Sequence, residues 1–334
     1  MTLELEGLYD SVVPPDEGMA NEPNYRVVPI PGYSDYYVGK DQESHACLLI
    51  AVQQGARPSS PYRLEDIDIQ FELRCTIARG LQVREAGVFS VIRCRSCESS
   101  VSRYFLSVAG ALVQLLGESP TQEEIASAIA HVASMFQRLR TPPTRTVNGL
   151  FGELHLIRWA ADPQAALASW RVNESARYDF SLGLIRLDVK TSAGRTRAHV
   201  FSYDQCNPPT STIAVVASMF VERASRGTTL WEIVEQIESL AAGRADLIFK
   251  LHDVLATTLG RDLQEAMCVA FDMDLANSSL RWFDLRAIPG IRGELPENVS
   301  DVHFRSDLTA TAAPDLAEWV GIEPQLECLL PSEV

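Results

Sequence analysis

Apolar and polar positions alternate in short runs over the first third of the chain and then change period. The runs over 26–30, 36–38, 47–51, 67–77 and 88–94 are separated by Gly- and Pro-containing segments, the pattern of strands. Residues 1–24 are polar and Pro-containing and predict a loosely ordered arm, followed by a β-rich domain over 25–97. From 103 the spacing turns helical. The stretch 103–116 is strongly apolar. A second helix opens at Thr121, which with Glu124 makes a capping box. Its stripe of Ile125, Ile129, Val132, Phe136 and Leu139 ends before Pro142-Pro143, and it is expected to brace the sheet that follows.

Leu150, Leu154 and Ile157 fall at helical spacing, with Glu153 on the edge of their stripe. Tyr178-Asp179-Phe180 predicts a short strand. Ser181-Leu182-Gly183 predicts the turn that folds it back on a strand from Ile185 to Lys190. A third strand follows the basic turn Gly194-Arg195-Thr196-Arg197, and 212–221 predicts a fourth, fully buried one. These elements make 98–225 a core with bracing helices. The region 226–334 is helical, then strand-containing. Its predicted helices cover 229–241 and 246–259, its predicted strand pair is 267–274 with 280–287, joined by Asn277-Ser278-Ser279, and a last strand covers 299–304. The fold class is α/β (α+β), a mixed sheet flanked by helices.

Chemistry concentrates on the predicted hairpin. Side chains alternate faces along a strand, so Asp188 and Lys190 project together while Leu187 and Val189 point to a core. The hairpin brings Asp179 beside Asp188. Two close carboxylates repel unless a cation joins them, and hard oxygen ligands suit Mg²⁺. Lysine is scarce here, with Lys40, Lys190 and Lys250 the three among 29 basic residues, so a lysine two residues after an aspartate stands out. Each residue also has a plainer reading: Asp188 and Lys190 as a solvated strand face, Asp179 as a turn cap, and Glu153 as a first-turn helical acid favoured by the helix dipole. His155 and His199 are expected to be packing or hydrogen-bonding residues rather than ligands.

The ordered set of Glu153, Asp179, Asp188 and Lys190, in a helix followed by three antiparallel strands and a further strand, resembles the PD-(D/E)xK nuclease superfamily. Gly-Leu-Phe-Gly-Glu-Leu, Trp170 before Asp-Phe, Asp-Val-Lys-Thr-Ser, Arg-x-His leading into Phe-Ser, and Gln205 resemble its restriction-associated family from bacterial defence gene neighbourhoods. Ile288-Pro289, Val302-x-Phe304 and Asp307-Leu308 extend the resemblance over most of the chain. Two positions depart from the pattern. Tyr178 stands where the nominal Pro would be, and Asp188 where many relatives carry Glu. The resemblance implies that Asp179, Asp188 and the Val189 carbonyl hold Mg²⁺, for which Mn²⁺ can substitute. It also implies that Lys190 orients or activates water and offsets phosphate charge, that Glu153 contributes to the metal shell directly or through water, and that Ser202 and Gln205 contact the site.

Composition qualifies this reading. A content of 46% hydrophobic and 22% charged residues is globular, no run of 18 apolar residues appears, and the first residues lack a basic segment followed by an apolar run. A cytoplasmic enzyme is expected, with no membrane span. Seven scattered cysteines include one Cys94-Arg-Ser-Cys97, read as reduced thiols at a strand end rather than a zinc site. The formal charge of −15 argues against a polyanionic partner, but its distribution does not: 138–199 carries ten Arg or Lys against five acids. Arg195 and Arg197 are expected to meet DNA phosphates, and the acidic remainder to discourage indiscriminate binding or dock a basic partner. The expected activity is Mg²⁺-dependent endonuclease cleavage of DNA, double-stranded, in anti-phage defence. Defence-system protein partners or a homodimer are possible partners. The alternatives are a catalytically silent DNA-binding or scaffolding subunit, and an RNase or structure-specific nickase.

Overall fold

A computed structural model describes residues 3–15, 23–53, 59–79, 83–96, 98–173 and 176–332. The chain forms two compact units, one of 1–143 with 242–264 and one of 144–241 with 265–334. The fold is mixed α+β with a β-rich amino-terminal region.

In the first unit, strands Asn24–Ile30, Tyr33–Lys40, Ala46–Ala51, Val83–Cys94 and Ile67–Arg79 pair in that spatial order, and the last pairs back onto the first in parallel. The sheet therefore closes on itself. Alternate residues fill its interior, among them Tyr25, Val27, Tyr37, Leu49, Ile77, Phe89 and Val91, as a period of two requires. The helices Ser99–Leu116, Gln122–Arg138 and Ala245–Leu259 belong to this unit; Tyr104 donates to the His252 carbonyl at 2.9 Å, and its ring lies tilted against that of Phe136. The capping box of Thr121 and Glu124 is present. The helix opening at Thr121, expected to brace the sheet that follows it in sequence, thus belongs to the first unit. Residues 242–264 return there too, so the two helices expected after residue 229 fall in different units. Part of the expected arm is ordered: Glu6–Asp10 is helical, and Leu5 and Val12 are buried. The rest of that arm, at 1–2 and 16–22, and Cys97 lie outside the described residues. Cys94 is a buried free thiol.

The second unit is built on strands Phe180–Leu182, Ile185–Ser192, Ile213–Phe220 and Arg281–Asp284. The first two form an antiparallel hairpin, Phe180 opposite Leu187. Its turn falls at Gly183-Leu184, two residues later than expected, and Gly183 supplies the positive φ of 51° that this tight turn needs. Strand Ile213–Phe220 runs parallel to Ile185–Ser192, with Val216 beside Asp188 and Ser218 beside Lys190. Strand Ala198–Ser202 departs from expectation: its ladder is with His303–Asp307, in a separate two-stranded sheet. The expected pairing of 267–274 with 280–287 is also absent. Ala270–Phe271 pairs with Arg223–Thr229, Arg281–Asp284 pairs with Ile213–Phe220, and helix Met273–Ser279 separates them, capped by the Asp272 carboxylate on the Leu275 amide.

Helix Val147–Trp159 lies against the Ile185–Ser192 strand, capped by Thr146, and Gly152 sets the approach. A Cβ at 152 would collide with Thr191 Cγ2 and press on Val189 Cγ1 at 3.1 Å. Thr191 and Val189 are β-branched and cannot swing aside on a paired strand. Gly152→Val should therefore lower stability by about 1–3 kcal/mol through overpacking, read as a fall in the midpoint of thermal denaturation.

A buried carboxylate cluster at the hairpin

Three elements converge at the hairpin: the Val147–Trp159 helix brings Glu153, the approach to Phe180 brings Asp179, and the Ile185–Ser192 strand brings Asp188 and Lys190. All three carboxylates are buried. Glu153 is in the middle of its helix, so the first-turn reading does not apply. Its Oε2 accepts from Trp170 Nε1 at 2.6 Å and Arg171 Nε at 2.8 Å, and its Oε1 from Arg171 Nη2 at 2.8 Å. The fork of Arg171 matches the carboxylate. Arg171 holds a left-handed φ of 41°, uncommon for a residue with a Cβ, and its amide donates to the Asp179 carbonyl at 2.8 Å. The Glu153–Arg171 pair therefore fixes the backbone that carries Asp179.

Asp179 Oδ2 accepts from the Val189 amide at 2.8 Å, which ties it to the neighbouring strand. Its Oδ1 accepts from Arg145 Nη1 at 2.8 Å, and the same nitrogen lies 3.6 Å from Glu153 Oε1. Asp188 Oδ1 accepts from Gln205 Nε2 at 2.9 Å. Lys190 Nζ stands 2.7 Å from Asp188 Oδ2, and the two form an ion pair. The ammonium also sits 5.1 Å from the Phe201 ring centroid.

Burial governs the protonation of the cluster. It raises Glu153 to about 7, with Asp179 adding and Arg171 opposing. It raises Asp188 to about 6, opposed by Lys190 and assisted by Asp179. Burial works against the Lys190 ammonium, but Asp188 and Asp179 together hold its pKa above the usual amine value. Lys190 is therefore a charged donor. His199 lies nearby, lowered to about 4 by burial and by Lys190, with Nε2 2.8 Å from Ser218 Oγ. His155 is also buried, stacked on Phe151 and lowered to about 4 by burial.

The residues expected at DNA take several positions. Ser202 and Gln205 form a capping box on helix Tyr203–Cys206, and through it Gln205 is aimed at Asp188 and the Arg177 carbonyl. Arg195 is exposed and pairs with Glu222 at 2.8 Å. Arg197 is buried, and its guanidinium is taken up by the Ser218 carbonyl and hydroxyl and the Ser279 carbonyl. The structure turns it inward. Arg145 and Arg171 entered the sequence reading only as charges. The signal that points to them is the need of three buried acids for nearby cations.

Elsewhere, in the first unit, Asp41, Glu43 and His45 gather ligand-type atoms within 4.8 Å. Asp41 is already engaged there: Oδ1 accepts from the Glu43 and His45 amides at 2.9 Å each, and Oδ2 faces His45 Nδ1 at 3.1 Å and Arg93 Nη1 at 3.2 Å. The carboxylate knots a turn between two strands. Among the described residues no helix is long and apolar enough to cross a membrane.

An Asp facing an Asp-x-Lys on a hairpin beside a helix is the class of core that the PD-(D/E)xK pattern describes. Residues 10–309 match the family described as "Putative PD-(D/E)XK family member, (DUF4420)", and the chain belongs to that family. No curated protein and no solved structure matches the chain. Removing Glu153 would strand the Arg171 guanidinium and the Trp170 indole N–H. Glu153→Ala should cost about 3–5 kcal/mol, as breaking a buried ion pair does, measured by urea unfolding.

Proposed function

We propose that the chain is a divalent-metal-dependent endonuclease that hydrolyses DNA phosphodiesters at this cluster, of restriction type and within bacterial defence. The observation that carries the reading is the buried pair Asp179 and Asp188, with Lys190 2.7 Å from Asp188, in a chain of a PD-(D/E)XK family. The donor chemistry fits Mg²⁺ or Mn²⁺: hard carboxylate oxygens of Asp179 and Asp188, both buried. Asp179, Asp188 and the Val189 carbonyl would hold the ion, with Glu153 behind them. Bound there, the ion would supply Lewis-acid polarisation of a phosphoryl oxygen and a more acidic water.

The residues of the chain divide the remaining work. Lys190, kept protonated, orients the attacking water and balances charge on the phosphate. Gln205 fixes the Asp188 carboxylate. Arg171, through its amide and its fork on Glu153, sets the position of Asp179. Arg145 on Asp179 Oδ1 favours a second reading, a silent DNA-binding or scaffolding subunit in which an arginine replaces the metal. Cleavage separates the two readings. Purified protein should cut DNA with Mg²⁺ or Mn²⁺ and not with EDTA, while Lys190→Ala and Asp188→Asn should lose roughly 10²–10³-fold or more in rate. Undiminished cutting by Lys190→Ala would remove the assignment, and metal-independent inertness of all three would favour the silent subunit.

Arg195 and Arg197 should behave differently. Arg195→Ala should flatten the salt dependence of DNA binding by about 0.9 in log–log slope, the loss of one phosphate contact. Arg197→Ala should leave the slope unchanged and lower the thermal midpoint, because its guanidinium serves buried protein acceptors. Equal slope changes in the two variants would place Arg197 at the phosphate after all.

A further inference from the structure

We infer that Arg145 is the cation of the unloaded site, and that a divalent ion loads only by displacing it, so that Arg145 sets the metal concentration at which the site fills. The inference rests on the metal-dependent reading above. Three cations stand beside the three buried acids: Arg171 on Glu153, Lys190 on Asp188, and Arg145 on Asp179 with a longer contact of 3.6 Å to Glu153. A divalent ion adds two positive charges to a cluster whose three acids already face three cations. In a site shielded from water that excess is costly unless one monovalent cation leaves.

Geometry selects which one leaves. The Arg171 side chain is 12% exposed and forked on Glu153, and the Lys190 side chain is 19% exposed, whereas that of Arg145 is 45% exposed. Arg145 also holds the oxygen that matters. Asp179 Oδ2 is committed to the Val189 amide at 2.8 Å, so Oδ1 is the oxygen a metal would take, and Oδ1 is the one bonded to Arg145 at 2.8 Å. Ion and guanidinium compete for a single acceptor. The backbone of Arg145 can stay in place during the exchange, because it immediately precedes Thr146, whose hydroxyl caps the Val147–Trp159 helix.

The test is calorimetric titration of Mn²⁺ into the full chain without DNA. Arg145→Ala, and Arg145→Met which keeps the apolar stem, should bind Mn²⁺ at least about tenfold tighter than wild type, by relief of competition. Arg145→Lys, which restores a cation, should return the affinity towards wild type. Arg195→Ala, which removes a charge in the same unit outside the cluster, should stay within about twofold, and Asp188→Asn should abolish binding in every background. Equal or weaker binding by both Arg145→Ala and Arg145→Met, with wild type binding, overturns the exchange and leaves the metal reading standing. An equal gain in Arg195→Ala also overturns it, since bulk charge would then account for the effect. Absence of Mn²⁺ binding in wild type and both neutral variants, or binding that survives Asp188→Asn, overturns the exchange and the metal site together.

Discussion

Three carboxylates buried within reach of one another cannot all remain ionised without cations beside them, and the second unit is organised around meeting that requirement. Gly152 lets the helix that carries Glu153 approach the strand that carries Asp188. Arg171 accepts a left-handed backbone so that its side chain reaches Glu153 while its amide reaches Asp179. Lys190 shares a strand face with Asp188 because the period of two puts it there. Each of these features has a cost in isolation. Together they leave a cluster in which three cations stand beside three acids, in partly dry surroundings where electrostatic interactions are strong.

This matching also changes what the linear charge pattern means. A surplus of basic residues over 138–199 suggests a footprint for phosphate, but a surplus in sequence is not a free surface in space. Arg145, Arg171 and Lys190 are engaged by the site acids, Arg197 by buried carbonyls and a hydroxyl, and Arg195 by Glu222. Arg138 and Arg140 belong to the other unit, where they pair with Asp253 and Asp66. The basic groups with substantial side-chain exposure, such as Arg145, Arg177 and Arg195, are those able to exchange a protein acceptor for a phosphate. Exposed pairs such as Arg195 with Glu222 contribute little to stability and exchange readily.

The parts of the fold legible in the sequence are those encoded locally. The strand over Ile185–Lys190, the capping box at Thr121 and the existence of a glycine turn between Asp179 and Asp188 follow from period, caps and glycine, whereas the register of that turn does not. The misread parts depend on distant partners. Ala198–Ser202 pairs with a strand about a hundred residues later, and nothing in its own pattern distinguishes that ladder from one with the adjacent hairpin. The helix Met273–Ser279 has seven residues, too short to establish a period, and its Asp272 cap was the one local sign of it. In the cluster, Asp188 and Lys190 were legible because lysine is rare in this chain and the two stand two residues apart on a strand. Arg145 and Arg171 were not, because in an arginine-rich chain a guanidinium carries no signal until a buried acid is found beside it.

The presence of Asp at 188, where a longer Glu is common in the pattern, is accommodated by the neighbours of the carboxylate. A shorter side chain holds its oxygens closer to the strand and reaches less far, so its direction must be set from outside. Gln205 sets it on one oxygen, and Gln205 is in turn fixed three ways: its amide on Ser202 Oγ, its Oε1 on the Ser202 amide, and its Nε2 shared with the Arg177 carbonyl. Lys190 Nζ, 2.7 Å away, is the ion-pair partner of the other oxygen. The lost methylene thus reduces the conformational freedom of Asp188, and its carboxylate is held on both oxygens by Gln205 and Lys190. Ser202 and Gln205 therefore act on the site through Asp188, a role that a substitution at either residue would transmit even if no nucleic acid ever reached them.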